Sequence, residues 1–152
     1  MRNKGAGVGM STLERAISLA AQAHAGQVDK AGQPYILHPL RVMLRVGTEE
    51  ERITAILHDV VEDTSVTLEQ LTEEGFSPTV VAAVEALTKR PGESRIEAAA
   101  RAAENRVART VKLADNAENM DLSRIAHPTE KDVARIQEYE RVRALLLGAN
   151  AV

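Results

Sequence analysis

The stretch AILHDVVEDT, residues Ala55 to Thr64, decides how this chain is interpreted. Its apolar positions continue the helical spacing that begins at Ile53, so the stretch is predicted to lie in a buried helix. One histidine and three carboxylates occupy positions 58, 59, 62 and 63 of that helix. Like charges three and four residues apart repel each other on a helix, and a bound cation would neutralise them. The stretch therefore predicts half of a metal site.

Length and composition exclude several classes of protein. A chain of 152 residues is the size of one domain, and it contains no cysteine, which excludes disulfides, thiolate metal sites and a cysteine nucleophile. A formal charge of −3 with 2% aromatic residues disfavours nucleic-acid binding. No apolar run approaches the roughly 18 residues that a membrane span needs, and no signal peptide is recognisable. We expect a cytoplasmic protein that binds neither nucleic acid nor a membrane.

Helix signals punctuate most of the chain, and no segment alternates as a strand would. Residues 1–10 are glycine-rich and are predicted to be a disordered leader, followed by a single domain over 11–152. Capping boxes are predicted at Ser11 with Glu14 and at Thr48 with Glu51, and Ser77 with Pro78 marks another helix start. With the other prolines and glycines, they predict helices near 12–25, 39–46, 49–63, 67–74, 78–89, 95–103 and 104–120. A last helix is predicted from 128, with Val133, Ile136, Tyr139 and Leu146 facing inward. The predicted fold is all-α, a single helical bundle.

The other half of the metal site is predicted from residues on two separate helices. His38 follows a turn-rich loop and begins the second helix, and Asp115 borders the apolar face of a later one. Together with His58 and Asp59, these residues supply two imidazoles and two carboxylates. That set suits a borderline divalent ion such as Mn²⁺, Fe²⁺, Co²⁺ or Zn²⁺. Glu62 and Asp63 are then the candidate groups for accepting a proton from water and orienting it.

Three motifs, in order, resemble one known family: HAGQVDKAGQPYILHPLRV (24–42), AILHDVVEDT (55–64) and VKLADNAENM (111–120). They resemble the hydrolase domain of RelA/SpoT-type alarmone enzymes, especially the stand-alone small alarmone hydrolases. That family belongs to the HD-domain metal-dependent phosphohydrolases. The resemblance implies an HD-domain helical bundle with a mononuclear metal site. It also implies removal of the 3′-pyrophosphate of ppGpp or pppGpp, which yields GDP or GTP.

The resemblance also implies roles for individual residues. The family's metal ligands, usually of Mn²⁺, fall on the four residues already singled out by their chemistry: His38, His58, Asp59 and Asp115. Its catalytic pair falls on Glu62 and Asp63. Its nucleotide-contacting residues fall on Lys30, Asn119 and Tyr139.

Departures from the family pattern concern the substrate. Asp29 stands where alarmone hydrolases commonly carry an arginine that packs on the guanine base, and the third motif lacks another basic residue, which Lys112 could replace. Two alternatives follow: a phosphohydrolase of another nucleotide, such as the 2′-phosphate of NADPH, or a nucleotide-binding regulatory module without turnover.

Four further side chains have structural interpretations. His24 is predicted to be a hydrogen-bonded core or loop-anchoring residue, and His127 a surface residue. Arg135 and Arg143 are predicted to lie on a solvated helix face, with Arg143 able to approach a polyphosphate.

Overall fold

The computed structural model describes residues 11–123 and 125–148, and the predicted leader, residues 1–10, lies outside them. Within this range the regular structure is helical, and the sole strand-like pairing is an isolated bridge between Val28 and Pro34. The predicted all-α class is confirmed for these residues. The helices are α1 (Leu13–Ala23), α2 (Leu37–Leu44), α3 (Glu49–Leu57), α4 (Val60–Asp63), α5 (Leu68–Glu73), α6 (Pro78–Leu87), α7 (Arg95–Ala103), α8 (Arg106–Asn119) and α9 (Glu130–Gly148).

Local capping signals place most of these helices correctly. Thr48 and Glu51 form the predicted reciprocal capping box of α3, and Ser77 caps α6 with Pro78 in its first turn. Gly75 follows α5 with φ of +93°, a conformation that other residues rarely adopt. These signals act over four residues, which explains why the sequence alone suffices to locate them.

The starts of α1, α2 and α9 differ from the prediction. Thr12, rather than Ser11, caps α1, and the Ser11 hydroxyl donates instead to the carbonyl oxygen of Glu74, the residue directly after α5. Helix α2 begins at Leu37, two residues before Pro39; a proline fits there because first-turn residues have no intrahelical N–H bond to lose. Helix α9 begins at Glu130 rather than at residue 128.

The predicted helix over AILHDVVEDT is interrupted. Helix α3 ends at Leu57, and the four-residue helix α4 begins only at Val60. Asp59 adopts φ of −108° and ψ of −3°, outside the ordinary helical values. The predicted continuous helix is therefore wrong at residues 58 and 59, the two positions that carry the histidine and the first aspartate.

Helix α3 lies at the centre of the bundle and packs against α1, α2, α6 and α8. Its residues 53–57 are all buried, and they join core clusters that reach most other helices. Helix α9 packs on α7 and α8 through Tyr139, Val142 and Leu146. Val133, in the first turn of α9, was predicted to face inward, but its side chain is 55% exposed.

Among the described helices, none combines the length and the apolar character that a membrane crossing requires.

Candidate metal centre and its cavity

Three separate parts of the fold bring the predicted metal ligands together. His38 lies in the first turn of α2, His58 and Asp59 lie at the interruption between α3 and α4, and Asp115 lies on α8. Because α2 and α8 both pack against the central helix α3, residues far apart in sequence meet at one point. His38, His58 and Asp115 are buried.

The distances between these four side chains are short. His38 Nε2 lies 2.8 Å from Asp115 Oδ1, and His58 Nε2 lies 3.1 Å from Asp59 Oδ2 and 3.4 Å from Asp115 Oδ1. One ligand atom from each of His38, His58 and Asp59 lies within 4.8 Å of the others. This cluster of two imidazoles and two carboxylates is the arrangement that a borderline divalent cation accepts.

The orientation of His58 indicates which of its nitrogens faces a ligand. Its Nδ1 lies 2.5 Å from the carbonyl oxygen of Ala55, which can only accept a hydrogen bond, so Nδ1 carries the proton. Its Nε2 is buried and finds no partner with hydrogen-bond geometry among the described residues, although two carboxylates lie close to it. Since a buried nitrogen without a bond is unfavourable, the donor set fits a divalent cation at this position.

The charges of the cluster shift the titration of its members. Burial opposes the charged form of His58, but Asp59 and Asp115 overcome this effect and raise its pKa well above the ordinary value. Burial likewise opposes ionisation of Asp115, yet Lys112 and the two histidines hold its pKa well below the ordinary value. The carboxylates are thus ionised at neutral pH, which is the form that binds a cation.

Neighbouring side chains hold the two aspartates in place. The hydroxyl of Tyr35 donates to Asp59 Oδ2. Lys112 Nζ lies 3.0 Å from Asp115 Oδ2, and Asn119 Nδ2 donates to Asp115 Oδ1 at 3.2 Å. Such outer contacts orient a metal's ligands.

A cavity of about 400 Å³ opens above the cluster. Every aspartate of the sequence lines it, together with the three predicted substrate-binding residues Lys30, Asn119 and Tyr139. Its volume lies within the range of small-molecule sites. The structure therefore brings seven of the nine predicted site residues into the wall of one cavity, and His58 lies against two of them, Asp59 and Asp115.

The two predicted catalytic carboxylates point in different directions. Asp63 lines the cavity, whereas Glu62 does not: its Oε1 accepts a hydrogen bond of 2.8 Å from the backbone N–H of Lys89, at the end of α6. Partial burial, with the negative charges of Asp59 and Glu62, raises the pKa of Asp63. A raised pKa makes this carboxylate a stronger proton acceptor than an ordinary aspartate.

Asp29 and His24 have structural partners. Asp29 Oδ1 accepts hydrogen bonds from the N–H groups of Ala31 and Gln33, which makes it the organiser of the turn between α1 and α2. His24 is 2% exposed, and its Nδ1 lies 2.8 Å from the side-chain oxygen of Gln27. The side-chain nitrogen of Gln27 donates to the carbonyl oxygen of Asp63. The predicted loop-anchoring role of His24 is confirmed, and His127 is exposed as predicted.

Sequence reasoning missed several residues of the cavity, among them Tyr35, Arg41 and Arg135. Helical spacing could have found two of them, because Arg41 is three residues after His38 and Arg135 is four residues before Tyr139. Arg135 therefore does not lie on a purely solvated face as predicted. Arg143 lies on a different depression of the surface, away from this cavity.

A helical bundle that buries histidines and aspartates from three elements beneath a polar cavity defines a class of divalent-metal-binding domain. The family assignment agrees: residues 16–151 match the HD domain family, and the chain belongs to it.

The chain is similar in sequence to several named proteins. The chain is 37% identical over 151 residues to a probable GTP pyrophosphokinase of Mycobacterium leprae, an alignment that covers 90% of this chain but only 19% of that protein. It is 35% identical over 160 residues to the guanosine-3′,5′-bis(diphosphate) 3′-pyrophosphohydrolase MESH1 of Danio rerio, covering 93% of this chain and 87% of the relative. The long relatives thus share one domain with this chain, and MESH1 shares nearly its whole length.

A solved structure supports the same relationship. The structure of a metazoan ortholog of SpoT, which hydrolyzes ppGpp and plays a role in starvation responses, superposes with a TM-score of 0.75 at 26% identity. The match covers 90% of this chain and 86% of that one. The predicted resemblance to RelA/SpoT-type hydrolase domains is confirmed.

Proposed function

We propose that this domain hydrolyses ppGpp and pppGpp at the 3′-pyrophosphate, with one water consumed and GDP or GTP released together with pyrophosphate. The observation that carries the proposal is the cluster of His38, His58, Asp59 and Asp115 beneath the cavity, in a chain that aligns with 87% of the Danio rerio hydrolase. The names of these relatives refer to guanosine nucleotides, so the alternative of NADPH as substrate is not favoured.

We propose that the four clustered residues bind one divalent cation, Mn²⁺ by analogy with the family. A divalent cation supplies Lewis-acid polarisation of a phosphoryl oxygen in such sites. Tyr35 and Lys112 would keep the carboxylates of Asp59 and Asp115 oriented through the contacts described above. The absence of thiolates in the chain agrees with a catalytic rather than a structural site.

In this proposal Asp63 accepts the proton of the attacking water, because its carboxylate faces the cavity and its pKa is raised. Glu62 shares that role once its side chain leaves the N–H of Lys89, to which a single hydrogen bond holds it. Lys30, Asn119 and Tyr139 would bind the nucleotide at the cavity wall. We also expect the protein to act in the cytoplasm.

The experiment that tests the proposal is a metal-by-substrate assay on the full chain. Metal-stripped protein is supplied with Mn²⁺, Zn²⁺, Mg²⁺ or no metal, and ppGpp, pppGpp and NADPH are offered separately. We expect pyrophosphate and GDP from ppGpp with Mn²⁺. Products are separated by ion-exchange chromatography, so that loss of pyrophosphate and loss of phosphate are distinguished.

Asp59→Asn is the matched loss-of-function variant, and Glu69→Gln, an exposed change of one charge on α5, is its control. The first variant should lose at least about 100-fold in kcat and also the rise in unfolding temperature that Mn²⁺ produces in the wild-type protein. The control should keep both. Absence of turnover with every metal, or release of phosphate from NADPH alone, would contradict the proposal.

A further inference from the structure

Arg41 lies one helical turn from the metal cluster, on the face of α2 that carries His38. Helices α2 and α8 are joined by two successive side-chain pairs. His38 Nε2 lies 2.8 Å from Asp115 Oδ1, and three residues further along both helices, Arg41 Nε donates to Glu118 Oε1 at 3.0 Å. Residues three apart on a helix have Cβ atoms about 5–6 Å apart, so Arg41 is adjacent to the cluster.

Glu118 holds Arg41 in a fixed position. The Glu118 side chain is only 7% exposed, and it pairs with Arg41 and also with Arg45, whose Nε lies 2.5 Å from Oε2. The two arginines differ in one respect that matters: Arg41 lines the cavity, whereas Arg45 is 45% exposed and does not line it. One carboxylate faces two guanidinium groups, so the trio carries a net positive charge.

Part of the Arg41 guanidinium lacks a partner. Its Nη2 is buried and has no hydrogen bond within residues 11–123 and 125–148. A buried donor without an acceptor is unfavourable, which favours a state in which a ligand supplies that acceptor. An anionic oxygen is the strongest acceptor for a guanidinium group.

Each of the other cations that line the cavity has an aspartate partner among the described residues. Lys112 pairs with Asp115, and Lys30 and Arg135 both lie against Asp132, at 3.5 Å and 4.0 Å. Among the described cations of the cavity, Arg41 differs in its buried Nη2, which has no hydrogen bond, and it lies next to the cluster. Along α8, Lys112 lies one turn before Asp115 and the Arg41 contact lies one turn after it, so the two cations flank the cluster.

We propose that Arg41, held by Glu118, is a specificity-determining residue. One anionic group of the ligand lies at the metal cluster, and Arg41 binds a second anionic group of the same ligand. The cavity then selects nucleotides that carry phosphate groups at two positions. This inference rests on the proposed function for the identity of the nucleotide, but the binding of an anion at Arg41 can be measured without turnover.

The test compares Arg41→Gln with Arg45→Gln. Both variants remove one guanidinium from the same carboxylate, but only the first changes the cavity wall. We expect Arg41→Gln to raise the KM for ppGpp about ten- to hundredfold, with a much smaller change in kcat. Calorimetry should show that the affinity for GDP falls by a similar factor. Arg45→Gln should stay within about twofold of the wild-type protein in the KM for ppGpp and in the affinity for GDP. Arg41→Lys should show a smaller loss of both than Arg41→Gln.

Guanosine without phosphate serves as the neutral probe, and its binding should not respond to either substitution. The inference is overturned if Arg41→Gln and Arg45→Gln are equal in the KM for ppGpp and in GDP affinity, or if guanosine binding falls as much as GDP binding. If the wild-type protein fails to hydrolyse ppGpp while GDP binding still depends on Arg41, the proposed function alone fails. A wild-type protein that neither turns over ppGpp nor binds GDP would contradict both.

Discussion

At the scale of single residues, His58 shows how one side chain serves both the fold and the site. Its Nδ1 donates to the carbonyl oxygen of Ala55, in the last turn of α3, and in this orientation Nε2 faces Asp59 and Asp115. A histidine that faced solvent would not lock its ring in this way. The same principle applies to Tyr35, whose hydroxyl orients the carboxylate of Asp59.

Glu62 allows a direct test of a residue-scale prediction. Glutamine at this position keeps an oxygen that accepts from the N–H of Lys89, so the unfolding temperature of Glu62→Gln should equal that of the wild-type protein. Because an amide cannot accept the proton of a water, we expect kcat for ppGpp to fall about 100-fold or more. Steady-state kinetics and thermal unfolding measure the two effects.

Glu62→Ala is the companion variant, since it removes both the proton acceptor and the bond to Lys89. It should lose activity and unfolding temperature together. Full activity in Glu62→Gln would limit Glu62 to anchoring α4 against the end of α6.

At the scale of elements, the interruption between α3 and α4 is the feature on which the site depends. A continuous helix would direct residues 58, 59, 62 and 63 along one side at regular intervals. In the structure, Asp59 leaves helical geometry, and Asp63 faces the cavity while Glu62 faces α6. The break thus places Asp59 and Asp63 at the cavity, while Glu62 points away from it towards the end of α6.

The connection between α6 and α7 depends on one ion pair that can be tested by pH. Arg101 lies 2.9 Å from both carboxylate oxygens of Glu93, and it also donates to the carbonyl oxygen of Thr88. Hydrogen bonds from Arg101, and then from the backbone of Arg90, lower the pKa of Glu93 from 4.5 to about 2. A carboxyl pKa that is lower in the folded state stabilises the fold above its unfolded value, and this stabilisation is lost as pH falls towards 2.

We therefore expect Glu93→Gln to lower the unfolding temperature at pH 7, and the difference from the wild-type protein to disappear between about pH 4.5 and pH 2. Glu140→Gln, on an exposed position of α9, is the control and should show no such dependence. A difference that stays constant across this range would assign the effect to something other than the charge of Glu93. Calorimetric scans at stepped pH measure it.

At the scale of the whole molecule, α9 closes the cavity against α8. Tyr139 contributes its ring to the cavity wall, and its backbone carbonyl accepts a hydrogen bond of 2.8 Å from the side chain of Asn116 on α8. Asn116 is 2% exposed, so this bond is shielded from water. Core contacts of Val142 and Leu146 with α7 complete the attachment. A buried polar bond thus links the wall of the site to the stability of the bundle.

Asn116→Ala should reduce the free energy of unfolding by about 1–2 kcal/mol, because it leaves the carbonyl of Tyr139 without this partner. Urea unfolding measures the change as a lower midpoint with an unchanged slope. Gln137→Ala, on an exposed position of the same helix, is the matched control and should stay within about 0.5 kcal/mol. Equal effects of the two substitutions would contradict a special role for the Asn116 bond.

What the sequence determined by itself is local in origin. Capping residues such as Thr48 and Ser77 act within one helical turn, and they located the helices to within a few residues. The four candidate ligands were also predictable, because histidine and aspartate at the edge of apolar faces are chemically unusual.

Only the tertiary structure decided where these side chains point. The interruption at Asp59, the turn of Glu62 towards Lys89 and the position of Arg41 beside the cluster all depend on partners that lie far away in the sequence, among them Tyr35, Lys89 and Glu118. Helical periodicity carries no information about such partners, since it reports only which face of a helix is apolar. The sequence therefore determined which chemical groups are present, and packing of α2, α3 and α8 around one point decided which of them form the site.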